Sequence, residues 1–227
     1  MLRHYSKKYN QDLNYITTYT HIKHHQISVN GKLVFSGEGS QNTLEFLSSA
    51  YKALGLSYPK FHKMDAQCKL GLVATEYLLK ESDFLQRVSL DKTAVVLSNS
   101  ASSLETDRQH QHSISDKSNY FPSPAVFVYT LPNIVIGEIA IKYKITGENA
   151  FFVSEKLDAE LLENYINSLF ENGSEACIGG WIEVDGSNYE AFIFLAENQE
   201  NPNKNSIFKP LNQATITELY NQTTWTL

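Results

Sequence analysis

The residues best placed to support catalysis lie in the stretch NAFFVSEKLDAELLENYINSLFENG. Its pattern predicts an apolar strand, a sharp turn and an amphipathic helix. Many folds present a catalytic nucleophile at such a turn, because the positive end of the helix dipole stabilises negative charge. Here the turn carries Ser154, Glu155 and Lys156, and the helix ends at Gly173. The pattern indicates either a site with unusual chemistry or a scaffold that has lost its nucleophile.

Two cysteines and a serine offer weaker candidates for a nucleophile. Cys68 falls within a predicted helix and Cys177 within a predicted strand, so both are expected to be buried, reduced and structural. Ser40, in the sequence GEGSQ, does not lie in the G-x-S-x-G turn of the hydrolases. A serine or cysteine hydrolase is therefore not expected.

Two groups of histidines raise the question of a metal site. His21, His24 and His25 are close together near a predicted hairpin, but on a strand His24 faces away from the other two. His110 and His112 lie in a polar segment, where their spacing is interpreted as coincidence. We expect no metal ion, and we expect the histidines near the hairpin to face solvent.

The composition excludes several functional classes. The chain has 227 residues, of which 42% are hydrophobic, so it can bury a core, and we treat residues 1–227 as one domain. A net charge of −6 gives no attraction for a nucleic acid backbone. No run of about 18 apolar residues and no secretory signal are visible, so no membrane segment is expected and a cytoplasmic location is predicted.

Alternating strand and helix patterns predict an α/β fold with a mixed sheet covered by helices. Hairpins are predicted at Asn30–Gly31 and at Asp185–Gly186, and a buried central strand is predicted at residues 93–99. Thr43 is expected to cap a helix. Residues 101–121 are polar and are interpreted as a mobile excursion at the edge of the fold.

Several segments occur in a characteristic order. They are KFHKMDAQCKLGLVATEYLL, AVVLSNSASSLETD, SPAVFVYTLPNIVIGEIAIKYKITGENAFFV and ENGSEACIGGWIEV. The last of them holds the pair Gly179–Gly180, followed by the acid Glu183. Together, over roughly residues 13–184, they resemble the amino-terminal half of a β-ketoacyl synthase of the thiolase fold. The resemblance implies a thiolase-like half, with its mixed sheet covered by helices and closed by an added hairpin.

The resemblance also implies that this chain is inactive. In the family, the turn before the helix carries a cysteine that binds the growing acyl chain as a thioester. Counting back from Gly173 places that position at Lys156, or at Glu155 if the turn is one residue shorter. Neither side chain can form a thioester, and the catalytic histidines of the family come from a second half that we do not expect here. No cofactor is expected either.

Partners follow from the same resemblance. In ketosynthases, the strand before the nucleophile pairs with its counterpart in a second subunit, and a half-sandwich alone would leave a sheet face and an edge exposed. The chain is similar to short chain-length factors of aryl polyene and flexirubin-type clusters. The implied partner is a full-length β-ketoacyl synthase, in a heterodimer or heterotetramer, with acyl carrier protein contacted indirectly, while a homodimer stays open. The implied interface residues are Asn149, Ala150, Phe151, Phe152 and Val153.

The inactive subunit of such a pair shapes the tunnel for the acyl chain. The resemblance places four residues in that pocket, namely Leu131, Pro132, Asn133 and Ser154. Two other functions stay open. The first is a minimal acyltransferase or malonyl decarboxylase that uses Glu155. The second is a scaffold that binds acyl carrier protein, which the acidic composition disfavours unless a local basic patch exists.

Overall fold

A mixed sheet forms the centre of the protein in the computed structural model, which describes residues 14–39, 41–80, 82–118, 120–198 and 207–222. Its strands are β1 (Tyr15–Lys23), β2 (Gln26–Val29), β3 (Lys32–Ser36), β4 (Thr93–Asn99), β5 (Asn149–Val153), β6 (Ala176–Asp185), β7 (Asn188–Glu197) and β8 (Lys209–Pro210). The helices are α1 (Thr43–Ala53), α2 (Ala66–Leu79), α3 (Phe84–Arg87), α4 (Leu104–Ser115), α5 (Pro124–Phe127), α6 (Ile134–Tyr143), α7 (Ala159–Glu171) and α8 (Gln213–Tyr220), with a 3-10 turn at Pro59–Lys63.

The strand order is β3-β2-β1-β7-β6-β4-β5, and β8 pairs with one end of β1. Strand β4 is parallel to both of its neighbours, β5 and β6, whereas the strands from β6 to β3 pair antiparallel. All seven residues of β4 are buried, as predicted for a central strand. The carboxyl ends of β4 and β5 therefore lie side by side. The loops that follow the two strands meet at this end of the sheet.

Helices from this one chain cover both faces of the sheet. Helices α1, α2 and α6 pack on one face, and α7 and α8 pack on the other. Helix α2 buries 12 of its 14 residues, because it packs against the sheet and also against both α1 and α6. The expectation that another protein is needed to cover a sheet face is therefore wrong. An open edge remains, because β5 pairs only with β4 among the described residues.

Turn chemistry located both predicted hairpins correctly. Asn30 and Gly31, with φ of 51° and 77°, connect β2 to β3, and the Asp185–Gly186 turn connects β6 to β7. The expected cap of α1 was off by one residue. Asn42 is the cap, because its side chain accepts from the Glu45 amide at 3.0 Å while the Glu45 carboxylate accepts from the Asn42 amide at 2.9 Å.

The polar region at residues 101–121 contains helix α4, which the sequence pattern did not predict. Thr106 is its only buried residue, so the helix has no apolar face to produce a periodic pattern. Polar contacts hold it instead. Arg108 forms an ion pair at 2.5 Å with Asp185, at the tip of the β6–β7 hairpin.

The histidines near the first hairpin differ from expectation. His24 and His25 form the turn between β1 and β2, with φ of 51° and 59°, so they do not lie on a strand. His21 lies on β1 but is only 2% exposed, and its ring centroid is 4.9 Å from that of Phe192 and 6.0 Å from that of Tyr220. The expectation that His21 faces solvent was wrong, because β1 is an interior strand covered by α8.

Burial of His21 predicts a loss of stability in acid. Burial, together with the nearby charge of Lys23, lowers the pKa of His21 to about 4. The unfolded chain takes up a proton on this residue below pH 6.5, whereas the folded protein resists protonation until about pH 4. The free energy of unfolding should therefore fall between pH 6.5 and pH 4, with His21 accounting for about 3 kcal/mol.

Urea unfolding across this pH range measures the effect. His21→Phe should flatten the fall in unfolding free energy, because the ring then carries no titrating nitrogen. His24→Gln, a substitution in the exposed turn, serves as the control and should leave the slope unchanged. Identical slopes in His21→Phe and the unmodified protein would contradict the assignment.

Candidate functional site

The turn after β5 is built mainly from backbone contacts. The amide of Ser154 donates to the carbonyl of Asn99 at 2.9 Å, and the Ser154 hydroxyl donates to the carbonyl of Lys156 at 2.8 Å. The side chains of Glu155 and Lys156 are exposed. Ser154 thus closes the turn, and the two residues at the expected nucleophile position face solvent.

The amino terminus of α7 carries its own anion. Asp158 is the helix cap, and its carboxylate accepts from the Leu161 amide at 2.9 Å. A carboxylate at this position stabilises the helix by about 1 kcal/mol and satisfies one of the free amides at its amino terminus. Lys156 lies two residues before this cap, so it is not in the first turn of the helix.

A second carboxylate fills the loop after β4. Glu183 accepts from the amide and hydroxyl of Ser100, both at 2.6 Å, and from the amide of Ala101 at 3.2 Å. Successive backbone amides that converge in this way form an anion-binding nest. The amides of Ser100 and Ala101 are therefore satisfied by a carboxylate of the chain itself. Strand β6 runs through the Gly-Gly pair to Asp185, as the predicted hairpin at Asp185–Gly186 requires.

The same loop connects the turn to the predicted pocket segment. Its first residue, Asn99, accepts from Ser154, and its last, Ser103, donates from its hydroxyl to the carbonyl of Thr130 at 2.9 Å. Sequence reasoning proposed Leu131, Pro132 and Asn133 as pocket residues but gave no role to Ser103 or Glu183. A small-residue loop followed far along the chain by an acid was the only available signal. The loop joins the two candidate regions without forming a catalytic cluster.

Neither cysteine is placed to act as a nucleophile. Cys177 is fully buried in β6, and burial raises the pKa of its thiol. Cys68 is buried in the first turn of α2, where burial and then the Asp65 carboxylate raise the pKa of the thiol. Both thiols stay protonated at neutral pH, as the structural role predicted for them requires. Ser40, the weak serine candidate, lies outside the described residues.

Among the described residues, β5 is one of the two edge strands of the sheet, with β3 at the other end. The carbonyl of Glu148 accepts from Val95 at 3.0 Å, so alternate residues starting there bond to β4. Asn149, Phe151 and Val153 consequently direct their backbone groups away from the sheet. The side chain of Val153 is 56% exposed. The predicted interface strand thus presents an unpaired edge.

The side chains of the two phenylalanines on β5 pack mainly within the chain. Phe151 lies against the cluster that contains α2 and α6. The Phe152 ring lies on the opposite face, 5.1 Å from that of Tyr165 in an edge-to-face arrangement. Both residues are half-buried, as is Ala150, which precedes them, whereas Asn149 is exposed.

The described part of the chain shows neither a cluster of metal ligands nor a helix that could span a membrane. Within it, no three His, Cys, Asp or Glu side chains come together as metal ligands would. Every helix there falls short of the length and apolar character needed to cross a bilayer.

Comparison with protein families agrees with this geometry. Residues 42–192 match the model of the β-ketoacyl synthase N-terminal domain. This chain belongs to that family. The match includes the β5 turn, the loop that holds Glu183 and the Gly-Gly pair. The sequence resemblance over residues 13–184 is thereby confirmed at the level of the family.

Solved ketosynthase structures share the fold. A chain of the ishigamide ketosynthase/chain length factor superimposes with a TM-score of 0.61 at 17% identity, over 85% of this chain and 63% of that one. A chain of the ketosynthase ApeO in complex with its chain length factor ApeC from Xenorhabdus doucetiae gives 0.53 at 14% identity, over 83% and 80%. A chain of AntDE:AntF, a type II polyketide acyl carrier protein in complex with its ketosynthase, gives 0.57 at 14% identity, over 82% and 62%.

These likenesses establish the fold of the chain. The mixed α/β sheet is that of a thiolase-like ketosynthase half, as the sequence indicated. The chain spans 63% of the ishigamide structure's matching chain, so it corresponds to part of that protein. A search of curated proteins finds no match.

Proposed function

We propose that this chain is a catalytically inactive, chain-length-factor-like subunit that pairs with a full-length β-ketoacyl synthase. The pair, a heterodimer or heterotetramer in the cytoplasm, would serve fatty-acid or polyketide synthesis of the aryl polyene type. The partner supplies the cysteine and histidines, and this chain supplies part of the wall of the acyl tunnel. No cofactor is required on this chain.

The observation that carries the proposal is the content of the turn after β5. Glu155 and Lys156, which the resemblance places at the cysteine position of the family, are both exposed. The neighbouring sites that could stabilise negative charge are occupied by Asp158 and Glu183. An acyl thioester therefore has neither a nucleophile nor an oxyanion site at this turn.

The open edge of β5 supports pairing with another subunit. An edge strand with unpaired backbone groups readily adds a further strand, and soluble proteins usually protect such edges. The edge here is short and ends in the exposed Val153. Related structures in the comparison are complexes of a ketosynthase with a chain length factor. A ketosynthase strand is thus the occupant that the proposal assigns to this edge.

Intact-mass measurement of the acylated pair tests the catalytic part of the proposal. The co-purified pair is incubated with an acyl carrier protein that carries a fatty acyl chain, and both subunits are weighed. An acyl adduct should appear on the ketosynthase alone. An adduct on this chain would contradict the proposal. Release of carbon dioxide from malonyl carrier protein by the isolated chain, abolished by Glu155→Ala, would instead support the decarboxylase alternative.

One observation favours a second candidate, a scaffold that binds acyl carrier protein. Residues 46–75 contribute a basic surface and contain a single acid, Asp65, although Lys60 is paired with Glu138 of α6 at 2.7 Å. Both Asp65 oxygens bind internally, one to the Cys68 amide and one to the Thr106 hydroxyl, each at 2.8 Å. The members of this basic surface are Lys52, Lys60, His62, Lys63 and Lys69.

The basic surface has a defined geometry. The Tyr51 and Phe61 rings stack at 3.9 Å, which joins the end of α1 to the 3-10 turn. Lys52 and Lys63 are exposed. A chain with a net charge of −6 thus carries a local positive surface, which is the feature that an acidic carrier protein requires.

Charge reversal tests the second candidate. The double variant Lys52→Glu, Lys63→Glu should weaken binding of acyl carrier protein by at least about tenfold in low salt, because each reversal replaces attraction with repulsion. The control, Lys32→Glu with Lys117→Glu, changes the net charge equally at exposed sites elsewhere. Equal weakening by both pairs would indicate a general charge effect and would count against the basic surface.

A further inference from the structure

Leu131 is an exposed apolar residue, and the carbonyl groups of both its neighbours in the chain accept hydrogen bonds from buried side chains. Its side chain is 57% exposed. The carbonyl of Thr130 accepts from the Ser103 hydroxyl at 2.9 Å, and the carbonyl of Pro132 accepts from the Gln67 side-chain amide at 3.2 Å. Hydrogen bonds on both sides of Leu131 thus fix the backbone at this position.

A buried carboxylate provides a third attachment. Glu138 is 4% exposed, and its carboxylate lies 2.7 Å from the Lys60 ammonium and accepts from the Tyr129 hydroxyl at 3.1 Å. Burial, then the charge of Glu138, raises the pKa of Tyr129, so its hydroxyl stays a donor. The side chain just before Thr130 is therefore bonded to the helix that follows.

Stabilising a turn with buried polar contacts carries a large desolvation cost. Glu138, Ser103, Gln67 and Tyr129 are each no more than 9% exposed. Burying a charged or polar side chain costs several kcal/mol before its partners compensate, and an apolar replacement is often equally stable. The polar contacts hold the backbone at Leu131 in one defined position. A contact residue that is already held in place loses less entropy when a partner or ligand binds.

We propose that Glu138 is a positioning residue that holds Leu131 in place, and that the position of Leu131 limits the length of the chain made by the paired ketosynthase. This inference rests on the function proposed above, in which residues 131–133 form part of the tunnel wall. Glu138 touches no substrate. It acts through Tyr129, while Ser103 and Gln67 hold the backbone on either side of Leu131.

The product distribution of the co-purified pair tests the inference. Glu138→Gln keeps the size of the side chain but removes the charge that pairs with Lys60. In this variant, the main product should lose at least about half of its share to longer chains, because Leu131 gains freedom to move. Mass spectrometry of the released products measures the shares at matched turnover.

The chain offers a matched control in a second buried carboxylate. Glu76 is 9% exposed, and its carboxylate lies 3.0 Å from the Lys142 ammonium. Burial and, to a smaller extent, the charge of Glu76 raise the pKa of the neighbouring Tyr143. Glu76→Gln should lower stability without changing the product lengths. If Glu138→Gln is poorly folded, Tyr129→Phe, which removes only one hydroxyl, provides the same comparison.

The outcomes separate the inference from the function on which it rests. If Leu131→Ala changes the product lengths while Glu138→Gln and Tyr129→Phe do not, the positioning role is overturned and the proposed function stands. Equal shifts in Glu138→Gln and Glu76→Gln also overturn it, as does a Leu131→Ala variant without effect. Identical products from the ketosynthase with and without this chain would overturn the proposed function itself.

Discussion

Gly180→Ala is expected to yield little or no folded protein. Gly180 has φ of +153°, a conformation that L residues rarely adopt, and it lies in β6 between β4 and β7. An added Cβ would overlap the backbone carbonyl oxygen of Phe192 and lie 2.9 Å from the Cα of Ile193. Because the obstacle is the backbone of a paired strand, no side-chain movement relieves it. We expect a loss of more than about 4 kcal/mol in the free energy of unfolding.

Gly186→Ala provides the control for this effect. Gly186 also has a positive φ, of 62°, but a Cβ there meets nothing within 4 Å. This variant should lose only about 1 kcal/mol and remain soluble. Soluble yield and the urea midpoint distinguish the two variants. A Gly180→Ala midpoint close to that of Gly186→Ala would show that β6 and β7 separate more easily than their backbone contact implies.

Val153→Pro is expected to weaken pairing with the ketosynthase strongly while leaving this chain folded. The amide of Val153 faces the open edge of β5, so proline removes no hydrogen bond to β4. It removes a donor that the partner strand would use, and its ring obstructs the approach of that strand. Loss of a ladder hydrogen bond and of close approach should raise the dissociation constant by about 100-fold.

Val153→Ala separates the backbone effect from the side-chain effect. This variant keeps the outward amide and loses only the exposed isopropyl group, so binding should weaken by less than about tenfold. Titration calorimetry with the purified ketosynthase measures both constants, and circular dichroism confirms that both variants fold. If Val153→Pro and Val153→Ala bind equally well, the partner does not add a strand to β5.

Local chemistry allowed much of the fold to be predicted from the sequence. The turns at Asn30–Gly31 and Asp185–Gly186 were identified because few residue pairs tolerate positive φ. The buried strand at residues 93–99 was identified because both of its faces are apolar. Order and spacing of the motifs supplied the family, since they depend on the whole chain and not on any one element.

Features that depend on distant contacts could not be predicted. Helix α4 is held by ion pairs such as Arg108–Asp185, whose partners lie far apart in the sequence. The burial of His21 depends on α8, close to the other end of the chain. The role of Glu183 likewise depends on β6 lying beside β4, which brings its carboxylate to Ser100. Because these contacts join residues far apart in the sequence, the local periodicity of apolar residues does not predict them.

The candidate site combines an exposed turn with internally bonded carboxylates. Asp158 accepts from the Leu161 amide at the start of α7, and Glu183 accepts from the amides of Ser100 and Ala101. The turn exposes Glu155 and Lys156, and the apolar residues Leu131 and Val153 are exposed as well. The proposed function assigns these exposed residues to contact with another protein.

Native mass spectrometry of this chain co-expressed with a full-length ketosynthase tests whether the two proteins pair. We expect a complex that contains both subunits in equal numbers, either one of each or two of each. The fraction of complex should fall steeply when this chain carries Val153→Pro. Recovery of the two proteins only as separate species, with the ketosynthase fully active alone, would show that this chain is not a ketosynthase subunit.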